Sequence, residues 1–334
     1  PMRAIVVRAT GQGPLLEWGS ADDVRPKDNE VLLQVYATSV NRADLSQARG
    51  LYPPPKGASP ILGLEAAGIV LECGSKVTQW TVGARVMALL PGGGYAEQVT
   101  VDEGSILPIP EGWSFSQGAA FPEAFGTASI NLVKEGSLRP EESVLIHAGA
   151  SGVGTAAIQL ARAMGAKVFV SVGSEEKAKF CKELGAQLAI DRRTFENEAG
   201  DFVAQINHAT NGNGIDVILD CVGGSYLSSN IKVLAEQGRL ILIGHLGGTA
   251  AELDLSAVLA KQLLIKGSKL RVRSLDEKRE LIAFMRQGIL PLVERGEIKP
   301  VIQSVMSIEQ AQEAHDLLKN NATIGKIVLE IRKG

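Results

Sequence analysis

The chain has little of what usually announces a function. Three cysteines, Cys73, Cys181 and Cys221, are spread over 334 residues, an odd and widely spaced set. They form no disulfide framework and read as reduced thiols, buried filler more often than nucleophiles. The four histidines, His147, His208, His245 and His315, have no mutual spacing that suggests a metal site. A formal net charge of −3 comes without a basic cluster, so there is no electrostatic reason to expect nucleic acid as a partner. No apolar run approaches the length that spans a bilayer, and no charged-then-apolar leader precedes the first strand. The expectation is therefore a cytoplasmic protein without a membrane partner. Ser151 sits in no G-x-S-x-G, and Gly325-Lys326 lacks the preceding glycine and the following Ser or Thr of a phosphate-binding P-loop. Repeats and low-complexity segments are absent too, and the one proline-rich stretch is Tyr52-Pro53-Pro54-Pro55.

What is present begins with Ala148-Gly149-Ala150-Ser151-Gly152-Val153-Gly154, which follows the apolar strand Val144 to Ile146 and opens a helix from Val153 to Met164. In a dinucleotide-binding turn Gly149 permits the tight turn, Gly154 lets helix and strand approach closely, and the helix N-terminus faces a pyrophosphate. Ser151 takes the place of the second glycine of G-x-G-x-x-G. Alone, the glycines would equally suit a tight strand-to-helix turn with no ligand. A strand-helix rhythm continues downstream: strand Lys167 to Val172, helix Ala178 to Leu184 closed by Gly185, and strand Leu188 to Asp191. Strands Ile215 to Leu219 and Arg239 to Ile243 follow, separated by a helical stretch from Ser225 to Glu236. Apolar strands without polar alternation imply a parallel sheet covered on both faces, here a doubly wound Rossmann sheet of the α/β class.

Residues 1 to about 122 have a different texture, with short alternating strands such as Ala4 to Val7 and Val31 to Ala37 broken by Gly and Pro clusters. They read as a partly open β-barrel. The tail from Lys299 carries a strand, a helix and a last strand from Lys326 to Ile331, and capping boxes are expected at Ser274 with Glu277 and at Ser307 with Gln310. A length of 334 residues with 45% hydrophobic and 21% charged side chains suits two domains. The parse is a catalytic domain from 1–122 and 266–334, with a nucleotide-binding domain at 123–265 inserted between its halves.

Several ordered motifs carry a family likeness. They are Asn41-Arg42-Ala43-Asp44-Leu45, Gly50-Leu51-Tyr52-Pro53-Pro54-Pro55, Gly63-Leu64-Glu65-Ala66-Ala67-Gly68 and Leu89-Leu90-Pro91-Gly92-Gly93-Gly94. Pro122-Glu123-Ala124, His147-Ala148-Gly149, Asp220-Cys221-Val222-Gly223-Gly224 and Ile324-Gly325-Lys326-Ile327-Val328-Leu329 extend them. Over nearly its whole length the chain resembles the zinc-independent medium-chain quinone oxidoreductases of the zeta-crystallin type, most of all the branch induced in animals by a tumour suppressor. The resemblance implies a GroES-like catalytic domain around the Rossmann domain. It also implies an exposed sheet edge near Arg239 to Ile243 and Leu263 to Leu270, which a second subunit would cover in a homodimer.

Zinc relatives of this superfamily use cysteine, a Gly-His-Glu histidine and a second cysteine. Here Asn41 lies near the first place, Leu64 replaces the histidine, and no cysteine occurs near Pro122 to Thr127, so no metal is expected. Without a Lewis acid to hold an alkoxide, reduction of an electron-poor acceptor is the chemistry that remains. An NAD site carries an acid at the end of its second strand, whereas this chain has Val172, Gly173 and Ser174 there. That leaves room for a 2′-phosphate, which Lys177 and Arg192 are placed to neutralise, so NADPH is expected. Lys177 also reads simply as the solvated face of its helix, beside Glu175 and Glu176.

The resemblance places Asn41 near the nicotinamide ribose and the acceptor, Thr127 beside the carboxamide, and Tyr52 over a planar quinone. It adds Gly149, Ser151, Gly152, Val153, Gly173, Ser174, Lys177, Arg192, Cys221, Gly244, His245 and Leu246 to the cofactor contacts. Tyr52 reads equally as a loop anchor on the prolines, and Asn41 as a turn cap. No ionisable acid stands out beside them, so no general acid is assigned. The resulting expectation is hydride transfer from NADPH to a quinone without zinc. Reduction of an activated alkene, as in enone, enal or enoyl reductases, is the enzyme alternative, and a nucleotide-binding structural or RNA-binding role is the alternative outside catalysis.

Overall fold

The computed structural model of the chain describes residues 1–196 and 202–334. Seven strands come first: β1 (Met2–Thr10), β2 (Gly13–Ala21), β3 (Glu30–Ser39), β4 (Glu65–Cys73), β5 (Arg85–Leu89), β6 (Gln98–Asp102) and β7 (Ile106–Pro108). Next come β8 (Ser143–Ile146), β9 (Lys167–Val172), β10 (Leu188–Asp191), β11 (Ile215–Asp220), β12 (Leu234–Leu242) and β13 (Leu264–Gly267). β14 (Ile302–Ser307) and β15 (Lys326–Glu330) close the set. Two compact units divide these elements: Pro1–Gly126 with Leu270–Gly334, and Thr127–Lys269.

In the first unit β3 is the organising strand. One side pairs antiparallel with β4, from Val31↔Cys73 to Thr38↔Ala66. Its other side is shared: Glu30 to Gln34 pair with β6, and Ala37 to Ser39 pair with β15. The sheet runs β14-β15-β3-β4-β5-β7, and only β14 and β15 are parallel neighbours. Seating the last strand of the chain against β3 brings Lys326 beside Val40 and Asn41, and the amide of Val40 donates to the carbonyl of Ile327 at 3.0 Å. Val31, Leu33 and Val35 are fully buried with Ala66, Val70, Val86 and Ile106. Each such side chain contributes on the order of 1.5 to 3 kcal/mol of apolar burial.

The second unit holds six strands in the order β10-β9-β8-β11-β12-β13, every neighbouring pair parallel. β8 is buried at all four positions and β9 at five of six, the pattern of strands covered on both faces. From β8 the chain builds outward through β9 and β10, then returns to the other side of β8 for β11. Strand order reverses there, and the crevice outside the carboxyl ends of strands at such a switch point is where ligands bind in doubly wound sheets.

The helix expected from Ser225 to Glu236 is shorter than its pattern suggests. A 3₁₀ turn at Gly224–Tyr226 leads into a helix at Leu227–Val233, and Leu234 is already extended. Ile215 pairs with Leu234 but Val217 pairs with Arg239, so residues 235 to 238 bulge out, with Gln237 at φ 59. Parallel pairing with β11 overrides helix propensity there. At Ser274 the hydroxyl accepts the amide of Glu277 and starts the helix Leu275–Phe284. Ser307 and Gln310 form their capping box on a 3₁₀ turn, Ile308–Gln310, ahead of the helix Ala311–Lys319.

Candidate active site

The turn after β8 is built differently from the expectation. The left-handed residue is Ala148, at φ 53, not Gly149. Gly149 is required by proximity, because a Cβ there would lie 2.7 Å from Cβ of Val170 on β9. Its amide donates to the carbonyl of Ser171 at 2.9 Å. A Cβ on Gly154 would meet the carbonyl oxygen of Ala148 at 2.3 Å, so this glycine lets the helix Gly152–Ala163 start directly against the turn. Ser151 caps that helix by accepting the amide of Gly154 at 3.0 Å. Gly152 and Val153 then supply the first two helical N–H groups, which no α-helix satisfies internally.

At the neighbouring strand end, Ser174 caps the helix Glu175–Leu184 by accepting the amide of Lys177 at 3.2 Å. The amide of Arg192 donates to the carbonyl of Val172 at 2.9 Å, because β10 pairs in register with β9 through Asp191↔Val172. Its Nε lies 3.5 Å from where a Cβ on Gly173 would sit, so Gly173, Ser174 and Arg192 meet at one corner, with Lys177 one helical turn along. No carboxylate ends β9. That donor set, one helix N-terminus followed by a hydroxyl and two cations, fits the pyrophosphate and 2′-phosphate of NADPH.

Two further loops meet beyond β11 and β12. The amide of Leu246 donates to the carbonyl of Cys221 at 3.0 Å, and that of Gly247 to Val222 at 2.7 Å. A Cβ on Gly244 would lie 3.0 Å from the carbonyl oxygen of Cys221. His245 and Leu246 are exposed, and Cys221 is half-buried. Sequence reasoning missed what fixes this loop: the carboxylate of Asp220 accepts the amides of Val222 and Gly223 at 2.7 and 3.1 Å. Asn230 donates to the same carboxylate at 3.1 Å and contacts Nε2 of His147, whose Nδ1 meets Ser171 at 2.6 Å. Burial holds the His147 imidazole below its usual range, so it serves this network as a neutral ring. Thr127 is half-buried, and its carbonyl accepts Nδ2 of Asn131 at 2.9 Å.

In the first unit Asn41 does more than cap a turn. Its Nδ2 donates to Oε2 of Glu65 at 2.8 Å, and its Oδ1 accepts from Nζ of Lys326 at 2.6 Å. Lys326 reaches the same carboxylate oxygen at 2.8 Å, and both partners are almost completely buried. Such a pair survives burial only with its hydrogen bonds complete. Here Ser39 donates to Oε2 of Glu65, the amide of Glu123 donates to Oε1, and Lys326 also donates to the carbonyl of Val40. Beside it runs a second buried chain. Tyr95 lies 3.2 Å from Oδ2 of Asp44 and 3.0 Å from Nε2 of His315. Burial pushes Asp44 up to about 6 against amide bonds from Asn41 and Gly63, and brings His315 down to about 4.

Tyr52 is half-buried, with the guanidinium carbon of Arg271 5.3 Å from its ring centroid. Burial raises its phenol above the ordinary value. The expectation that no ionisable acid stands nearby is corrected here. Glu123 interacts electrostatically with Tyr52 and Arg271, and burial followed by repulsion from Glu65 pushes its carboxyl up to about 8. Arg271 and Lys278 have no local sequence signal and Glu123 only its place in Pro122-Glu123-Ala124; the fold assembles them. A cavity of about 730 Å³, lined by Lys27, Asp102, Leu275 and Arg279 among others and bordered by Pro91 and Lys278, holds none of the expected site residues. Among the described residues no group of three or more His, Cys, Asp or Glu side chains is placed to hold a metal ion.

Comparison with known proteins places this geometry. Residues 27–111 match the alcohol dehydrogenase GroES-like domain, and residues 152–287 match the zinc-binding dehydrogenase family. The quinone oxidoreductase of Sus scrofa is 33% identical over 310 residues, covering 91% of this chain and 90% of that protein. A phenolphthiocerol/phthiocerol polyketide synthase subunit of Mycobacterium tuberculosis is 32% identical over 92% of this chain, which spans only 14% of that subunit's length. The Escherichia coli quinone oxidoreductase complexed with NADPH superposes with a TM-score of 0.84 at 28% identity, covering 99% of this chain and 100% of that one.

Proposed function

The chain belongs to the medium-chain dehydrogenase/reductase superfamily, with quinone oxidoreductases among its relatives, and from that premise we propose that it is an NADPH-dependent quinone reductase working without zinc. The observation that carries the reading is the corner at the end of β9. Two cations and a serine stand where an NAD site would carry an acid. Bound NADPH supplies a hydride. Gly152 and Val153 hold the pyrophosphate, Ser174, Lys177 and Arg192 the 2′-phosphate, and the loops at Cys221 and at Gly244 to Leu246 border the same strand ends. Asn41, fixed by Glu65 and Lys326, and Thr127 position the nicotinamide, and Tyr52 offers its ring to a flat acceptor.

The remaining parts of this reading are a cytoplasmic homodimer and the division of labour between the two compact units, catalytic and nucleotide-binding. β13 supports the dimer: it is a four-residue edge strand beyond β12, and Leu264 is exposed on it. No helix among the described residues is long and apolar enough to cross a membrane. Leu64 in the place of a zinc histidine supports the absence of metal, and elemental analysis should find well under one zinc per chain.

A second reading has an observation of its own. Glu123 offers the proton that reduction of an activated alkene needs at its α carbon. Ranking quinones, enals and enoyl thioesters by kcat/KM with NADPH decides between them, and quinones should lead. Faster turnover of an enal or enoyl thioester would move the assignment to the alkene. Lack of turnover with every acceptor, alongside tight NADPH binding, would point to a nucleotide-binding structural role.

A further inference from the structure

Arg271 is 5% exposed, yet its guanidinium is incompletely used. Nε donates to the carbonyl of Pro91 at 2.9 Å, Nη2 donates to Oε1 of Gln47 at 2.7 Å, and Nη1 has no partner. A buried charged donor left unsatisfied is costly, and native structures keep one where a ligand completes it. The side chain is held by Pro91 and by Gln47, and its backbone is anchored by Lys278, whose Nζ donates to the carbonyl of Arg271 at 2.7 Å. It therefore cannot swing to find another partner without breaking those bonds. It lies over Tyr52, the ring assigned to a flat acceptor.

We propose that Nη1 of Arg271 receives the acceptor's oxygen and holds it as it takes on charge. The inference rests on the quinone-reductase reading and names the residue that completes it. Hydride from NADPH brings two electrons and one hydrogen to the quinone, a C=O π bond breaks, and a hydroquinone monoanion results. Its phenolate accepts the hydrogen bond from Arg271, a fixed donor aimed at developing charge. A proton from solvent then completes the second O–H of the hydroquinone. Overall, quinone, NADPH and one proton become hydroquinone and NADP⁺.

The test uses the holoenzyme with 1,4-benzoquinone and its methylated homologues. Arg271→Met should lower kcat/KM about 100-fold, Arg271→Lys should recover part of it, and the NADPH Kd should stay within about twofold of the parent. A second readout needs no turnover. 4-Nitrophenol, a stand-in for the hydroquinone anion, should bind the NADP⁺ complex as its coloured phenolate with a lowered pKa, and Arg271→Met should abolish that shift. If the parent reduces quinones but Arg271→Met stays within threefold of it, the proposal is wrong. A parent that reduces no quinone yet shows the Arg271-dependent nitrophenolate shift overturns the reductase reading instead and upholds the oxygen site. Absence of both turnover and shift overturns both.

Discussion

At Lys177 and Arg192 the choice between two nearly identical cofactors reduces to one phosphate and the charges that meet it. Arg192 is positioned by β10 pairing with β9, and Lys177 by a helix that Ser174 caps, so both cations are held by elements rather than by flexible loops. Each charge-assisted hydrogen bond to a phosphate contributes roughly 1.5 to 3 kcal/mol. Changing both residues to Ala should therefore weaken NADPH by at least tenfold while leaving NADH nearly unaffected, as read by cofactor fluorescence titration. Equal loss of both cofactors would mean that these residues do not read the phosphate. This corner was legible in the sequence because its residues lie within one strand-turn-helix stretch and the strand beside it. The cluster around Glu65 was not. Glu65 and Lys326 each sit in a family motif, but they are 261 residues apart and meet only because β15 seats on β3, so neither motif by itself reveals the pair. Arg271 and Glu123 are hidden for the same reason: burial and long-range neighbours, not motif, give them their chemistry.

Elements were easier to read than their ends. The strands of the parallel sheet follow from uninterrupted apolar runs, and the helix Gly152–Ala163 from its small and apolar residues after a serine cap. The helix expected up to Glu236 ends at Val233, because pairing of Leu234 with Ile215 is a tertiary demand that propensity does not contain. The glycine turn is legible, and so is the close approach at Gly154, but the role of Gly149 is not: a non-glycine, Ala148, takes the positive φ, while Gly149 provides closeness to β9. These contacts rank two substitutions. Ser151→Ala removes one cap bond and should cost about 1 kcal/mol. Gly154→Ala forces a methyl to 2.3 Å from a backbone oxygen that has no rotamer to escape through, so the helix must shift away from the turn. Urea unfolding should show Gly154→Ala losing at least twice as much stability as Ser151→Ala. Fluorescence titration should show its NADPH affinity falling more than tenfold, because the helix N-terminus moves. Equal effects in both variants would mean that the close approach is not what the turn requires.

For the molecule as a whole, buried carboxyls and the imidazoles of His147 and His315, both held below their ordinary range, set how stability follows pH. His315 is held below its ordinary 6.5, to about 4, so the folded state binds fewer protons than the unfolded chain in that interval, and stability rises with pH across it. Asp44 and Glu123 act in the opposite sense. Their folded values, about 6 and about 8, lie above the ordinary 3.8 and 4.5, so their contribution is present at low pH and is lost as pH rises through the folded values. Above 6.5 His315 and Asp44 have largely finished titrating, and Glu123 alone among the three continues to about 8. The parent should therefore lose stability between pH 6.5 and about 8, by up to about 2 kcal/mol at 1.36 kcal/mol per pH unit. Glu123→Gln, which cannot ionise, should be flat across that window in urea unfolding at stepped pH, and Asp44→Asn should keep the decline. If the decline persists in Glu123→Gln, the carboxyl is already ionised in the folded protein near neutral pH, and it cannot offer the α-carbon proton that the alkene reading asks of it.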